Sequence, residues 1–122
     1  MGKDVEKLYR FIVDGIGIWG VADRDCPNGS PCRENKPDDS WLSKKLEHPG
    51  EFSFWKELGL QKYIESGLMT WQTSVVKGKI KVMIIDRPEE ALHEDEYYLV
   101  CKPEAVKNKQ IVSLEEFLRM RK

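Results

Sequence analysis

The stretch LMTWQTSVVKGKIKVMIID, residues 68–86, decides the fold that the sequence predicts. In residues 68–76 two sets of side chains alternate. One set is Met69, Trp71, Thr73 and Val75, and the other is Thr70, Gln72 and Ser74. This alternation is the period of a half-buried β-strand. Residues 80–86 are apolar on both faces, which is typical of a strand in the middle of a sheet. With a turn at Lys77-Gly78 between them, the two segments predict a pair of neighbouring strands.

The N-terminal segment has two interpretations. Apolar residues recur there at helical spacing, and they are Val5, Leu8, Tyr9 and Ile12. This spacing predicts a helix over residues 4–14, whereas Asp14-Gly15 also fits the two-residue turn of a β-hairpin. We favour the helix, because its apolar stripe is complete. In both interpretations residues 16–21 form a short strand, and Gly17 and Gly20 let another group approach its backbone.

The rest of the chain predicts further helices and strands. Helices are expected over residues 41–48 and 51–66 and from Ser113 onward, and strands over residues 96–101 and 110–112. Gly59 predicts a break or kink in the second helix. Ser113, followed three residues later by Glu116, forms a capping box that begins the last helix. The chain is therefore predicted to be a single α+β domain over residues 1–122, with an antiparallel sheet of three to five strands and helices packed on one face.

The composition is typical of a small intracellular domain. A hydrophobic content of 40% with four tryptophans supports a core. The net charge of −1 gives no overall attraction to nucleic acid or to an anionic membrane. No apolar run approaches the roughly 18 residues of a transmembrane helix, and no signal peptide is recognisable. We therefore expect a cytoplasmic protein without a cofactor that binds neither membrane nor nucleic acid.

A long polar loop, DRDCPNGSPCRENKPDD, covers residues 23–39. Structureless segments of this length inside a domain are usually either functional or disordered. The loop contains Cys26 and Cys32, whose spacing is longer than that of common zinc sites. A disulfide between them is disfavoured in a reducing compartment. We therefore expect two ordinary thiols and no metal.

Two tryptophans bracket this loop, and charged side chains crowd its ends. An indole ring combines a large apolar surface with a polar N–H, which suits pockets for ring-bearing ligands. Arginine binds phosphate through paired hydrogen bonds. The sequence therefore predicts a ligand-binding site that consists of Trp19, Asp23, Arg24, Asp25, Arg33 and Trp41.

Three hypotheses of function follow. The favoured one is a small binding or accessory module, of the kind that phages and mobile elements encode. It would recognise a partner protein or a small ring-bearing ligand, phosphorylated or nucleotide-like. The alternative is a metal-dependent hydrolase of phosphoesters, with the metal on Asp23, Asp25 and Asp86 and the substrate on Arg33. In the third, the chain acts as a homo-oligomer through the strand at residues 96–101 or through the last helix.

Overall fold

The architecture is that of a computed structural model that describes residues 5–42 and 50–121. The strands of its sheet are β1 (Lys7–Val13), β2 (Ile16–Gly17), β3 (Phe52–Trp55), β4 (Ile80–Asp86), β5 (His93–Glu94), β6 (Tyr98–Cys101) and β7 (Lys107–Ser113). The α-helices are α1 (Ile18–Asp25), α2 (Glu57–Glu65), α3 (Leu68–Val75) and α4 (Leu114–Met120), and short 3₁₀-helices cover Pro31–Asn35 and Pro103–Ala105. The predicted α+β class is confirmed, but the described sheet has seven strands instead of three to five.

β1 and β4 lie in the middle of the sheet. The strand order is β5-β6-β3-β1-β4-β7, β2 is attached to β1, and every pair is antiparallel. β1 and β4 are paired along their whole length, from Lys7 opposite Asp86 to Val13 opposite Ile80. The prediction that residues 80–86 form a central strand is therefore confirmed.

β1 and β2 form a hairpin, so the helix predicted over residues 4–14 is wrong for the described residues. The turn is Asp14-Gly15, whose φ angles of 52° and 79° belong to a type I′ turn. Leu8 and Ile12 are buried in one core and Phe11 in the other. A strand buried on both faces explains why apolar residues are nearly continuous here.

The strand predicted over residues 16–21 ends after two residues. Gly17 is the last residue of β2, and α1 begins at Ile18. The buried residues of α1 are Ile18, Val21 and Ala22, at the spacing of one helix face. Their burial against the core therefore favours the helix over a continued strand.

Residues 68–75 form α3, so the strand predicted over residues 68–76 is wrong. The buried residues of α3 are Leu68, Met69, Trp71 and Gln72, which lie on one face of a helix. Gly67 precedes them with a φ of 88°, the left-handed conformation that ends α2. Met69 and Trp71 fit both patterns, but Gln72, which the strand pattern placed on the opposite, polar face, is fully buried with them.

The helix predicted over residues 51–66 is correct only in its second half. Phe52–Trp55 forms β3 between β1 and β6, and α2 begins at Glu57. Gly59 lies inside α2, where a Cβ would overlap the carbonyl of Tyr97 and lie 2.9 Å from the Trp55 ring. The glycine therefore permits α2 to pack closely on Trp55 of β3 and on the backbone of Tyr97, just before β6. Most of the helix predicted over residues 41–48 lies outside the described residues.

The C-terminal predictions are confirmed. Strand β6 falls within residues 96–101, and β7 includes residues 110–112 at one edge of the sheet. The Ser113 side chain accepts a hydrogen bond of 3.1 Å from the Glu116 N–H at the start of α4. The start of α4 is thus determined by nearby residues, because the cap joins side chain and backbone within one turn.

The sheet separates two buried clusters. The larger contains buried side chains of the four described α-helices, with Phe11, Trp55 and Val82 contributed by the sheet. The smaller lies on the other face, where Ala105 and Val106 of the segment between β6 and β7 pack against it. The described α-helices therefore pack on one face, as predicted, and the segment between β6 and β7 covers the other.

A network of ion pairs lies at the sheet edge that β5 forms. The Glu94 carboxylate contacts Lys56 at 2.8 Å and both terminal nitrogens of Arg87. Arg87 also contacts Glu6, at 3.0 Å. The hydrogen bonds from Arg87, followed by those from Lys56, lower the pKa of Glu94 to about 2.

Two helix glycines should respond oppositely to substitution by alanine. Gly59→Ala should lower the free energy of unfolding by about 2 kcal/mol, because its Cβ meets backbone and ring atoms that cannot move aside. Gly20→Ala should raise it by about 0.5–1 kcal/mol, because its Cβ meets nothing within 4 Å and alanine favours the helix. Urea denaturation of both variants checks this. Equal effects would contradict the close packing of α2 on Tyr97 and Trp55.

The Glu94 network should make stability depend on pH. Because the folded-state pKa of Glu94 lies below its ordinary 4.5, its contribution is complete above about pH 4.5 and is lost as the pH falls towards 2. Glu94→Gln should therefore cost about 1 kcal/mol at pH 7, after solvent screening, and almost nothing near pH 2. Denaturation across this pH range measures the difference. Glu89→Gln, at a carboxylate that is 84% exposed, is the control and should have little effect at any pH.

Candidate functional site

The sheet is interrupted on one side of β1. β2 pairs with Ile12 and Val13, and β3 pairs with Tyr9 alone. Beside Phe11, between these two pairings, lies a cavity of about 330 Å³. The aromatic residues that line it are Tyr9, Phe11, Trp19, Phe54, Trp55 and Tyr98. The polar side chains in its lining are Arg10, Asp23 and Ser53, and Gly17 and Gly20 contribute backbone.

Arg10 lies in the wall of the cavity. Arg10 is only 5% exposed. One terminal nitrogen of its guanidinium donates a hydrogen bond to the Ser53 carbonyl at 3.3 Å. The guanidinium also lies 4.4 Å above the centre of the Phe52 ring, a cation–π contact. Arg10 therefore joins β1 to β3 where their backbone pairing stops.

The two glycines of the lining have different roles. A Cβ at Gly17 would lie 2.9 Å from a terminal nitrogen of Arg10, so a larger residue there would require this guanidinium to shift. A Cβ at Gly20 would meet nothing within 4 Å. The sequence predicts a close approach at both positions. At Gly17 the approaching group is an arginine of the same chain, whereas at Gly20 the space is open.

Trp55 is the centre of the aromatic cluster beside the cavity. Its ring stacks on Tyr63 with 4.8 Å between ring centres. Trp19 and Trp41 both pack against it, at 6.5 Å and 6.0 Å. Trp41 also meets Tyr97 edge-on at 5.3 Å. Trp19 and Trp41, which flank the long loop, therefore both pack against the Trp55 ring. Of these two, only Trp19 lines the cavity.

Arg33 connects the loop at residues 23–39 to α1 and α3. It contacts the Asp23 carboxylate, donates to the carbonyl of Cys26 at 2.7 Å, and lies 5.3 Å above the Trp71 ring. Trp71 in turn donates to the carbonyl of Cys32 at 2.9 Å. The Arg33 guanidinium thus has three partners within the chain, and Arg33 does not line the cavity.

Cys26 and Cys32 form a disulfide, so the expectation of two free thiols is wrong in this structure. Ser30 N–H donates to the Pro27 carbonyl at 3.0 Å, and Gly29 has a φ of 91°, which reverses the chain between the cysteines. This turn brings the two Cα atoms to 6.2 Å, within the range of a disulfide. Local turn geometry, rather than spacing alone, decides the pairing.

Arg24 and Asp25 lie at the end of α1, where the Asp25 carboxylate accepts two hydrogen bonds. The Asp25 carboxylate accepts from the Lys77 N–H at 2.9 Å and from Arg24 at 3.1 Å. These two bonds, the backbone bond first, lower the pKa of Asp25. Asp25 therefore links α1 to the chain just before β4, away from the lining of the cavity.

The carboxylates of the hydrolase hypothesis are not brought together. Lys77, which holds Asp25, precedes β4, and Asp86 is the last residue of that strand. Seven residues of strand separate its ends by about 20 Å. Asp86 bonds instead to Lys7 and Asn108, which lower its pKa. Within residues 5–42 and 50–121 no three His, Cys, Asp or Glu side chains are grouped closely enough to hold a metal ion.

The structure thus brings two of the six predicted site residues to the cavity. Trp19 and Asp23 line it, whereas Arg24, Asp25, Arg33 and Trp41 do not. Sequence reasoning missed Arg10, Trp55 and Tyr98. A signal for Arg10 was present, because it is the one charge between Leu8 and Val13, but the helical interpretation placed it on a solvent-facing side.

The disulfide should stabilise the fold and account for two of the three cysteines. Closing so short a loop is expected to contribute about 2 kcal/mol, which a Cys26→Ser, Cys32→Ser double variant should lose. In the unfolded, unreduced protein one thiol should react, that of Cys101. Thiol titration and urea denaturation with and without reductant measure both. Three reactive thiols without reductant would contradict the bond.

Comparison with known proteins gives no relative from which a function can be carried over. No protein-family model, no curated protein and no solved structure matches the chain. None of the described helices is long and apolar enough to cross a membrane. The cavity beside Phe11 is therefore the basis on which a function is argued.

Proposed function

We propose that this chain is a binding module whose cavity takes a small molecule built around a planar ring. The observation that carries the proposal is the ring of six aromatic residues around a cavity of about 330 Å³. Pockets for small ligands have volumes of about 300–1,000 Å³ and are lined mainly by apolar and aromatic groups with a few polar ones. The proposed ligand is therefore small, of the size of one or two fused rings.

Trp19 is proposed to provide the stacking surface. It lies on the first turn of α1, is only partly buried, and lines the cavity. Trp19 packs against Trp55, and the Trp55 ring stacks on Tyr63. Stacking on a ring that is already fixed costs little conformational entropy, which favours binding.

The polar lining supports a ligand with hydrogen-bonding groups at its rim. Two charged residues of opposite sign, Arg10 of β1 and Asp23 of α1, belong to this lining. We do not extend the proposal to a phosphate, because Arg24 and Arg33 are each engaged by a carboxylate of the chain. The favoured ligand is the uncharged or weakly charged ring itself.

Two tryptophan variants test the proposal. A panel of indole derivatives, purine and pyrimidine bases and aromatic acids is screened by thermal shift, and affinities of the hits are measured by titration calorimetry. Trp19→Ala should weaken binding at least about tenfold, the value of a lost stacking contact. Trp41→Ala is the matched control: it also removes an indole from Trp55, but that indole does not line the cavity.

Gly20 offers a second test that does not disturb the core. Gly20→Leu places a side chain in the open space beside the cavity, so it should abolish binding while the protein stays folded. Gly20→Ala is its control and should retain most of the affinity. The proposal is wrong if no compound binds, or if Trp41→Ala weakens binding as much as Trp19→Ala.

A further inference from the structure

The two cysteines of the disulfide differ in exposure. Cys26 directly follows α1 and is 0% exposed, whereas Cys32 lies in the 3₁₀-helix Pro31–Asn35 and is partly exposed. Thiol–disulfide exchange begins when a thiolate attacks one of the two sulfurs, so its site depends on which sulfur the thiolate can reach. In the folded protein an external thiol cannot reach the sulfur of Cys26. Any exchange therefore has to begin at Cys32.

Hydrogen bonds to their backbone groups hold both cysteines in place. The Cys26 N–H donates to the Ala22 carbonyl at 2.8 Å, and the Cys26 carbonyl accepts from Arg33 at 2.7 Å. The Cys32 carbonyl accepts from the Trp71 indole at 2.9 Å. None of these three bonds involves a sulfur atom. When the disulfide opens, both residues therefore stay attached to α1 and α3.

The turn between the cysteines has hydrogen bonds of its own. The Ser30 N–H and hydroxyl both donate to the Pro27 carbonyl, at 3.0 Å and 2.6 Å. The Arg33 N–H donates to the Ser30 carbonyl at 3.0 Å, and the rings of Pro27 and Pro31 fix two φ angles. These contacts keep the Cα atoms of the cysteines near the 6.2 Å that separates them in the disulfide. Two thiols held this closely re-form their bond in an intramolecular step, at a high effective concentration.

The disulfide spans only a short stretch of chain. Its two cysteines are six positions apart, and closing a short loop removes less entropy from the unfolded chain than closing a long one. Opening of the bond therefore lowers the free energy of unfolding less than opening of a long-range disulfide does. The bond can open and close while the protein remains folded.

We infer that Cys26 and Cys32 form a reversible exchange site for low-molecular-weight thiols such as glutathione. The thiolate of the small molecule attacks the sulfur of Cys32 and forms a mixed disulfide with it. The bond between the two cysteines breaks, and its electron pair leaves on the sulfur of Cys26, which takes up a proton. A second small thiolate then attacks the sulfur of the bound small molecule and releases Cys32 as a thiolate. Two small thiols have become one small disulfide, and the cysteine pair has been reduced.

The reverse sequence closes the bond. The Cys32 thiolate attacks a small-molecule disulfide, forms a mixed disulfide and releases one small thiolate. Cys26 then loses its proton and attacks the sulfur of Cys32 from inside the protein, and the second small thiolate leaves. One small disulfide has become two thiols, and the cysteine pair has been oxidised. Cys32 is thus the exchanging cysteine and Cys26 the resolving one.

Single-cysteine variants test these two roles. Folded Cys26→Ser and Cys32→Ser proteins are incubated with glutathione disulfide, and the modified residues are identified by mass spectrometry. In Cys26→Ser a mixed disulfide should accumulate at Cys32, because the resolving thiol is absent. In Cys32→Ser the buried Cys26 should be modified at least about tenfold more slowly. Cys101 is the internal control, because it is 0% exposed and burial raises the pKa of its thiol.

The same reaction in urea shows that burial is the cause of any protection, because all thiols should then react. Modification of folded Cys32→Ser at Cys26 as fast as that of Cys26→Ser at Cys32 would overturn the inference. Absence of a mixed disulfide at Cys32 in folded Cys26→Ser would also overturn it.

The wild-type protein provides a second test. It is equilibrated with glutathione at different ratios of thiol to disulfide, the bond is followed by thiol alkylation, and the fold is followed by far-ultraviolet circular dichroism. The bond should open and close reversibly while the dichroism of the folded protein is retained. A bond that opens only in urea, or a fold that is lost when the bond opens, would overturn the inference. These measurements involve no ligand of the cavity, so their outcome is independent of the proposed function.

Discussion

The antiparallel pairing of β1 with β4 is the interaction on which the rest of the structure depends. Its register runs from Lys7 opposite Asp86 to Val13 opposite Ile80, and both strands are buried on both faces. One face carries the four described α-helices, and the other is covered by the segment that contains Ala105 and Val106. Because one edge of β1 is fully committed to β4, its other edge is shared between β2 and β3, and the cavity lies where neither reaches.

The sequence predicts those elements that local residues determine. Residues 80–86 were recognised as a central strand because apolar residues occupy both of its faces, and α4 because Ser113 and Glu116 cap it within one turn. Residues 68–76 and 4–14 were assigned the wrong type of element. In each case a short apolar segment satisfied two periods at once, and tertiary packing selected the one that the sequence alone did not favour.

The cavity was beyond sequence reasoning for a different reason. Its lining combines Arg10, Trp19, Trp55 and Tyr98, which come from four separate elements. Only the strand order brings these elements together, and that order depends on pairings between residues distant in the chain. The loop at residues 23–39 attracted attention because of its composition. Its charged residues and cysteines instead hold α1, the 3₁₀-helix at Pro31–Asn35 and α3 together.

The clustering of tryptophans has an optical consequence. The rings of Trp19 and Trp41 lie 6.5 Å and 6.0 Å from that of Trp55. At such separations the electronic transitions of neighbouring indoles couple, so the circular dichroism of the cluster is not the sum of three independent rings. Near-ultraviolet circular dichroism should therefore contain an exciton signal from this cluster. That signal registers any displacement of the first turn of α1, or of the chain around Trp41, without an added label.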